Sequence, residues 1–128
     1  MTTIWSMPMG RARQEIRAAQ VLLDAGLASQ AVSRACAAGL HAASAALSTL
    51  DDTPATEAGV VSAFGRRVVG NGGVGSEHGR TLRQLFEDRH GVEQALLEAP
   101  ADEAVKAIRS AEDLVEACDR LVEKKQRR

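Results

Sequence analysis

In QLFEDRHGVEQALL (residues 84–97), Arg89 and His90 stand side by side near the end of an apolar helical pattern and are followed by Gly91. These residue types offer chemistry. A guanidinium presents a planar fork of donors that grips a phosphate or a carboxylate, and an imidazole exchanges protons near neutral pH. At about 100° per residue, Leu82, Leu85 and Phe86 form one face of the helix and Arg89 falls in the middle of it. Arg80, Arg83, Glu87 and His90 cluster on an adjoining side. A guanidinium on an apolar face must meet a carboxylate, a phosphate or a partner surface, because a buried and unpaired charge is strongly destabilising. A salt bridge inside the fold and a site for a ligand or partner both meet that demand. His90 has a plainer alternative, which is to favour the helix dipole from the last turn. A second pair, Arg34 and His41, stands two turns apart on another helix among Ala37, Ala38, Ser44 and Ala45. Small residues there let another surface approach closely, so the pair suits a polar seam at an oligomer interface or a solvated stripe. His78 receives no role.

Other chemistries find little support in the chain. There is no H-E-x-x-H and no C-x-x-C, and Cys36 and His41 lie on different faces of their helix, so no metal site is expected. No serine or cysteine stands in a recognisable nucleophile turn. Cys36 and Cys118 both sit on apolar helical faces, where a free cysteine behaves as a small hydrophobe, and both are expected to be reduced and structural. GNGGVGSE (residues 70–77) formally contains G-x-G-x-x-G at Gly70, Gly72 and Gly75. That pattern needs a preceding strand to aim its amides at a pyrophosphate, and here a helical segment precedes it. The stretch reads as a flexible interhelical loop, and no cofactor is expected. With one Trp, two Phe and no Tyr, the chain lacks a stacking platform for single-stranded nucleic acid.

The elements that must position these residues are all helical. A chain of 128 residues is expected to form one domain that buries about two-thirds of its unfolded surface. The first helix is expected from about Met9 to Ala25, with Ile16, Ala19, Leu22 and Leu23 on one side and Gly26 as its stop. A second runs from Leu27 to Leu50 with Val32, Cys36, Gly39, Ala43, Leu47 and Leu50 in a core-facing stripe. A shorter third opens with Pro54 in its first turn, carries Val60, Val61, Phe64 and Val68, and ends at Gly70. Ser76 is expected to cap the fourth, which reaches His90 or a turn beyond, and the last spans about Ala101 to Lys124. The expected fold is all-α, an antiparallel bundle of four main helices plus a shorter fifth. Residues 1–8 read as a flexible N-terminus, 9–124 as the bundle and 125–128 as a basic tail. Sixteen basic and seventeen acidic residues give a net charge of -1, so no global field draws the chain to nucleic acid or membrane, and any basic site must be local. The N-terminal MTTIWSMPMGRAR lacks a signal-peptide core, and no apolar run approaches the ~18 residues of a membrane span. A cytoplasmic protein is expected.

Taken in order, LASQAVSRACAAGLHAASAAL from Leu27, TEAGVVSAF from Thr56 and SEHGRTLRQLFEDR from Ser76 resemble the bacterial stand-alone HEPN domains, over about residues 10–122. The resemblance implies a helical bundle that commonly dimerises and is frequently paired with a minimal nucleotidyltransferase in toxin–antitoxin or related modules. In many members it also implies metal-independent RNA cleavage by an arginine, a polar residue directly after it, and a histidine following four to six intervening residues. Arg89 matches the arginine and His90 the polar position. Gln94, Ala95 and Leu96 stand where the histidine belongs. Glutamine neither accepts the proton of a ribose 2′-hydroxyl nor supplies one to a leaving oxygen at neutral pH. Arg34 with His41 and Arg83 with His90 reproduce the spacing, but neither arginine occupies the family's position. Glu93 retains an acid found after the arginine in related members, and the tyrosine that some family toxins carry for modification is absent. The expectation is therefore a non-catalytic, homodimeric binding or regulatory module with a nucleotidyltransferase or toxin–antitoxin-type partner, RNA being a further partner to consider. Its binding or interface residues would be Arg89, His90, Arg83, Glu93, Arg34 and His41. The alternative is a metal-independent endoribonuclease with a degenerate motif, in which Arg89 and His90 would be the catalytic candidates.

Overall fold

A computed structural model describes residues 6–94 and 98–127. Helix α1 (Ser6–Asp24) is followed by α2 (Ala28–Ser48), by α3 (Glu57–Ala63) with a π-helical continuation (Phe64–Val69), by α4 (Ser76–Gln94) and by α5 (Ala101–Gln126). Among the described residues there is no strand, and no helix is long and apolar enough to cross a membrane. Of the expected flexible segment 1–8, residues 1–5 lie outside the described residues, and helix has begun by Ser6. In the expected basic tail, α5 continues through Lys125 and Gln126, and Arg128 lies outside the described residues.

The reversals explain how the helices come together. Gly26 takes φ +82°, its N–H reaches the Leu23 carbonyl at 3.0 Å, and the Leu27 N–H reaches the Leu22 carbonyl at 2.8 Å. This is the Schellman arrangement that glycine permits at a helix end, and it turns α2 back along α1 within three residues. Helix α2 ends in the same way without a glycine. Asp51 takes φ 57°, the Asp52 N–H reaches the Leu47 carbonyl at 3.1 Å, and the Asp52 carboxylate accepts from Arg67 at 2.9 Å. DDTPAT thus closes the second helix before it opens the third. The third helix starts at Glu57 rather than around Pro54, because Thr56, in extended conformation, accepts the Gly59 N–H on its hydroxyl at 3.0 Å. Ser76 lies inside the first turn of α4 instead of capping it, and its hydroxyl accepts from Arg80.

Helix α2 is the centre of the bundle and packs against every other element. Its expected stripe is buried except for Leu50, which lies beyond the end of the helix and is half-buried, and Ala31, Ala35, Ala38, Ala42, Ala45 and Ala46 are buried as well. The small residues near Arg34 and His41 are therefore largely consumed inside the chain: Ala38 and Ala45 are fully buried, while Ala37 and Ser44 stay partly open. Around this axis the bulk comes from the neighbours, with Phe64, Leu82, Leu85 and Leu114 fully or nearly fully buried.

Gly39 marks the tightest part of that packing. A Cβ placed there would lie 3.1 Å from Leu114 Cδ2, 3.2 Å from Leu85 Cδ1 and 3.3 Å from Leu82 Cδ1. Helices α4 and α5 thus press leucine methyls onto the bare backbone of α2. Gly39→Ala should change stability little, since a gain of about 1 kcal/mol in helix propensity is offset by small shifts of three flexible side-chain ends. Gly39→Leu should cost about 1–3 kcal/mol by overpacking. Urea denaturation of the two variants checks this, and a leucine variant as stable as the parent would refute the tight approach.

Candidate functional site

Thr56 caps α3 and thereby places Glu57 in its first turn, facing the last third of α4. Arg89 meets it there with both branches of its guanidinium: Nη2 donates to Glu57 Oε1 at 2.5 Å and Nη1 to Oε2 at 3.2 Å. The Arg89 side chain is 17% exposed and that of Glu57 is 58% exposed, so the pair is buried on the arginine side and open on the other. One turn earlier on α4, Phe86 lies under the guanidinium, with Arg89 Cζ 5.3 Å from the ring centroid. The apolar face that made Arg89 conspicuous in the sequence therefore provides its platform. Glu57 provides its charge partner.

Helix α2 borders the pair and extends it into a polar seam. Ser33 donates to Glu93 Oε1 at 3.3 Å, joining α2 to the end of α4. Arg34 donates to Glu15 of α1 at 3.1 and 3.4 Å, and Glu15 is the buried charged residue among those described. His41 lies half-buried between these pairs. Burial lowers its pKa below the ordinary 6.5, Glu15 and Glu57 pull it back up, and Arg11 lowers it further. The hydrogen bond from Arg89 holds Glu57 below the usual carboxylate range, and the same bond raises the pKa of Arg89. Beneath the seam, burial pushes the Cys36 thiol up to about 12 although Arg89 acts in the opposite direction. Burial also pushes Cys118 up to about 12. Neither sulfur is a nucleophile near neutral pH.

Of the residues singled out from the sequence, Arg34, His41, Arg89 and Glu93 share this seam. Arg83 and His90 do not. Arg83 lines a separate groove with Arg66, Phe86 and Glu87, and His90 is exposed. Gln94 ends α4, whereas Ala95 and Leu96 lie outside the described residues. Three participants escaped the sequence reading, Glu57, Glu15 and Ser33. Glu57 carried a usable signal, because T-E-x-G at a helix start places an acid in the first turn just after a capping threonine. Glu15 carried none, since its burial depends on how α1 lies against α2. Among the described residues, no group of three or more His, Cys, Asp or Glu side chains is placed to hold a metal ion.

The seam thus presents a guanidinium paired with a largely exposed carboxylate, flanked by the His41 imidazole and by Glu15 and Glu93. A family model described as the HEPN domain matches residues 7–122. A comparison with curated proteins finds no match.

The electrostatics give a pH signature. Glu57 is held below its ordinary 4.5, so its contribution is present above that value and is lost as pH falls through the lower folded value. Because the carboxylate is largely exposed, Glu57→Gln should cost no more than about 1 kcal/mol at pH 7, and less at acid pH. For His41, the folded state resists protonation, so stability should fall as pH drops from 6.5 through the lowered folded value. His41→Gln should flatten that limb. Denaturation midpoints between pH 4 and 8 test both signs, at pH values chosen to bracket the ordinary carboxylate and imidazole ranges of about 4.3 and 6.5.

Proposed function

This chain belongs to the HEPN family, and from that premise we propose that it is a dimeric, non-catalytic binding or regulatory module. One observation carries the reading: the family's arginine position, Arg89, is occupied by an internal carboxylate, Glu57, while Gln94, Ala95 and Leu96 stand where a histidine would complete the pair. An arginine already clamped in two places steadies a ligand or a partner only by exchanging Glu57 for another anion. It has no acid–base companion at those positions in either protomer of a symmetric dimer.

The dimer reading is supported by the seam itself. Ala37 and Ser44 stay partly open on the same side of α2 as Arg34 and His41, near half-open ion pairs that a second copy could rearrange across a two-fold axis. Within such a dimer, Arg89 would contribute to assembly or to anion binding more than to the internal fold. The partner protein in this reading is a nucleotidyltransferase or a toxin–antitoxin-type protein, a proposal that rests on the resemblance alone. A second reading has one observation in its favour: His41 is electrostatically coupled to Glu57, so the fold brings a histidine near the Arg89 pair that linear spacing does not. In that case the chain is an atypical metal-independent endoribonuclease in which His41, not His90, exchanges the proton.

Light scattering at micromolar concentration should report about twice the monomer mass, and a monomer at all concentrations would remove the dimer. Arg89→Ala should keep its helical circular dichroism while weakening assembly or phosphate binding. Outright unfolding would make Arg89 a purely structural residue. Incubated with structured and single-stranded RNA in EDTA, the natural protein should leave both intact. Cleavage to cyclic-phosphate ends that disappears in Arg89→Ala and His41→Ala, but persists in His90→Ala, would establish the second reading.

A further inference from the structure

Away from the seam, the end of the bundle where the glycine-rich loop meets the last turns of α5 gathers a cluster of basic side chains. Two shallow grooves of about 210 and 280 Å³ flank the loop and share Gly72, Gly73, Leu121 and Lys124. The first adds Arg67 and Lys125, the second His78 and Arg120. No carboxylate lines either groove, in a chain with seventeen acidic residues against sixteen basic ones. The contrast with other grooves is direct. Between α4 and α5, Glu77, Asp88 and Glu103 accompany Arg80 and Lys106, and between α3 and α4, Glu87 accompanies Arg66 and Arg83.

Not every cation at this pole is available. Arg67 is held by Asp52, and His78 lies 3.6 Å from Glu77. Arg120, Lys124 and Lys125 form no ion pair among the described residues. The terminal carbonyls of α5 place about half a negative charge nearby, which three unpaired cations outweigh. The loop makes them reachable from both sides. A Cβ on Gly73 would lie 3.1 Å from the Val68 carbonyl oxygen and 3.3 Å from Leu121 Cδ2, so the bare backbone lies flat on Leu121. Gly72, at φ +75°, has open space where its Cβ would be. The grooves therefore communicate across the loop, with Lys124 common to both and Leu121 and Val68 as an apolar floor that weakens solvent screening.

We propose that this pole is a second binding site, separate from the seam, for a ligand bearing consecutive phosphates. Cations on both sides of a side-chain-free divider suit negative charges repeated along a chain better than one isolated anion. A nucleoside polyphosphate and the backbone of RNA share that chemistry. Since no aromatic side chain lines either groove, recognition falls on phosphate and not on stacked bases. The site is independent of Arg89, which lies thirteen residues along α4 from Ser76, roughly 20 Å at the rise of an α-helix.

The test is titration calorimetry of the full chain with two probes at low salt: inorganic triphosphate, and a short single-stranded RNA lacking terminal phosphates. Arg120→Glu/Lys124→Glu should weaken binding at least about tenfold, as expected when phosphate contacts are replaced by repulsion. Arg17→Glu/Arg109→Glu, which changes net charge equally at exposed positions elsewhere, should weaken it less than about twofold, as diffuse electrostatics predicts. Binding of triphosphate alone identifies a nucleoside polyphosphate site, and binding of the RNA, with or without triphosphate, identifies a backbone site. Failure of both probes to bind saturably, or equal losses in the two double variants, would overturn the proposal.

Discussion

The structure depends on how closely other helices can approach α2. A helix with leucines all round would hold its neighbours at ordinary interaxial distances and bury its bulk on itself. Here the central helix contributes mostly alanines, a glycine and a cysteine beside Val32, Leu40 and Leu47, and the neighbours lay Leu82, Leu85, Leu114 and Phe64 over its narrow stretches. Tight packing around α2 brings four separate elements within a side chain's length of one another. Glu15, Arg34, Glu57 and Arg89 come from four different elements for that reason, and no pair of them is local in sequence.

The polar seam follows from the same geometry. Along α2, with α1 on one side and α3 and α4 on another, charges cannot all reach bulk water, and the bundle resolves this by pairing them. The pairs differ in what they leave open. Glu15 is buried beneath a half-exposed Arg34, whereas Arg89 is shielded beneath an exposed Glu57. One pair anchors its acid in the fold and the other anchors its base. An approaching anion therefore finds a shielded cation whose present partner is exposed, and an approaching cation finds the reverse arrangement one helix away. Together these give the flank a directional charge pattern.

The helices were legible in the sequence because their signals are periodic and local. Apolar steps located α2 and α5, Gly26 announced the first reversal, and the apolar face of α4 exposed Arg89 as out of place. The boundaries around residues 51–57 were less legible. Asp51 takes a left-handed conformation that aspartate adopts only when the rest of the turn demands it, and Thr56 rather than an earlier residue supplies the cap. The partners of the candidate residues were least legible. Glu57 satisfies Arg89 from thirty-two positions away, and Ala38 and Ala45, which read as a free second face, are covered by the chain itself. Such pairings arise from helix placement, which periodicity does not encode.

Between Phe64 and Val69 the third helix runs in π-helical form, with the Gly70 N–H reaching the Gly65 carbonyl at 3.0 Å and the Gly73 N–H the Val68 carbonyl at 2.9 Å. A π turn amounts to one additional residue within an α-helical path, and one residue corresponds to about 100° of rotation. The stretch therefore acts as a phase shifter between two halves of the molecule. Upstream of it, Glu57 and Val61 are set by the cap at Thr56; within it, Arg67 turns toward Asp52 and the glycine loop while Arg66 turns toward α4. Shortening the chain by one residue here would leave a regular α-helix with the same hydrophobic content. Its two ends would be out of phase, and either the Arg89–Glu57 corner or the basic pole would lose its alignment.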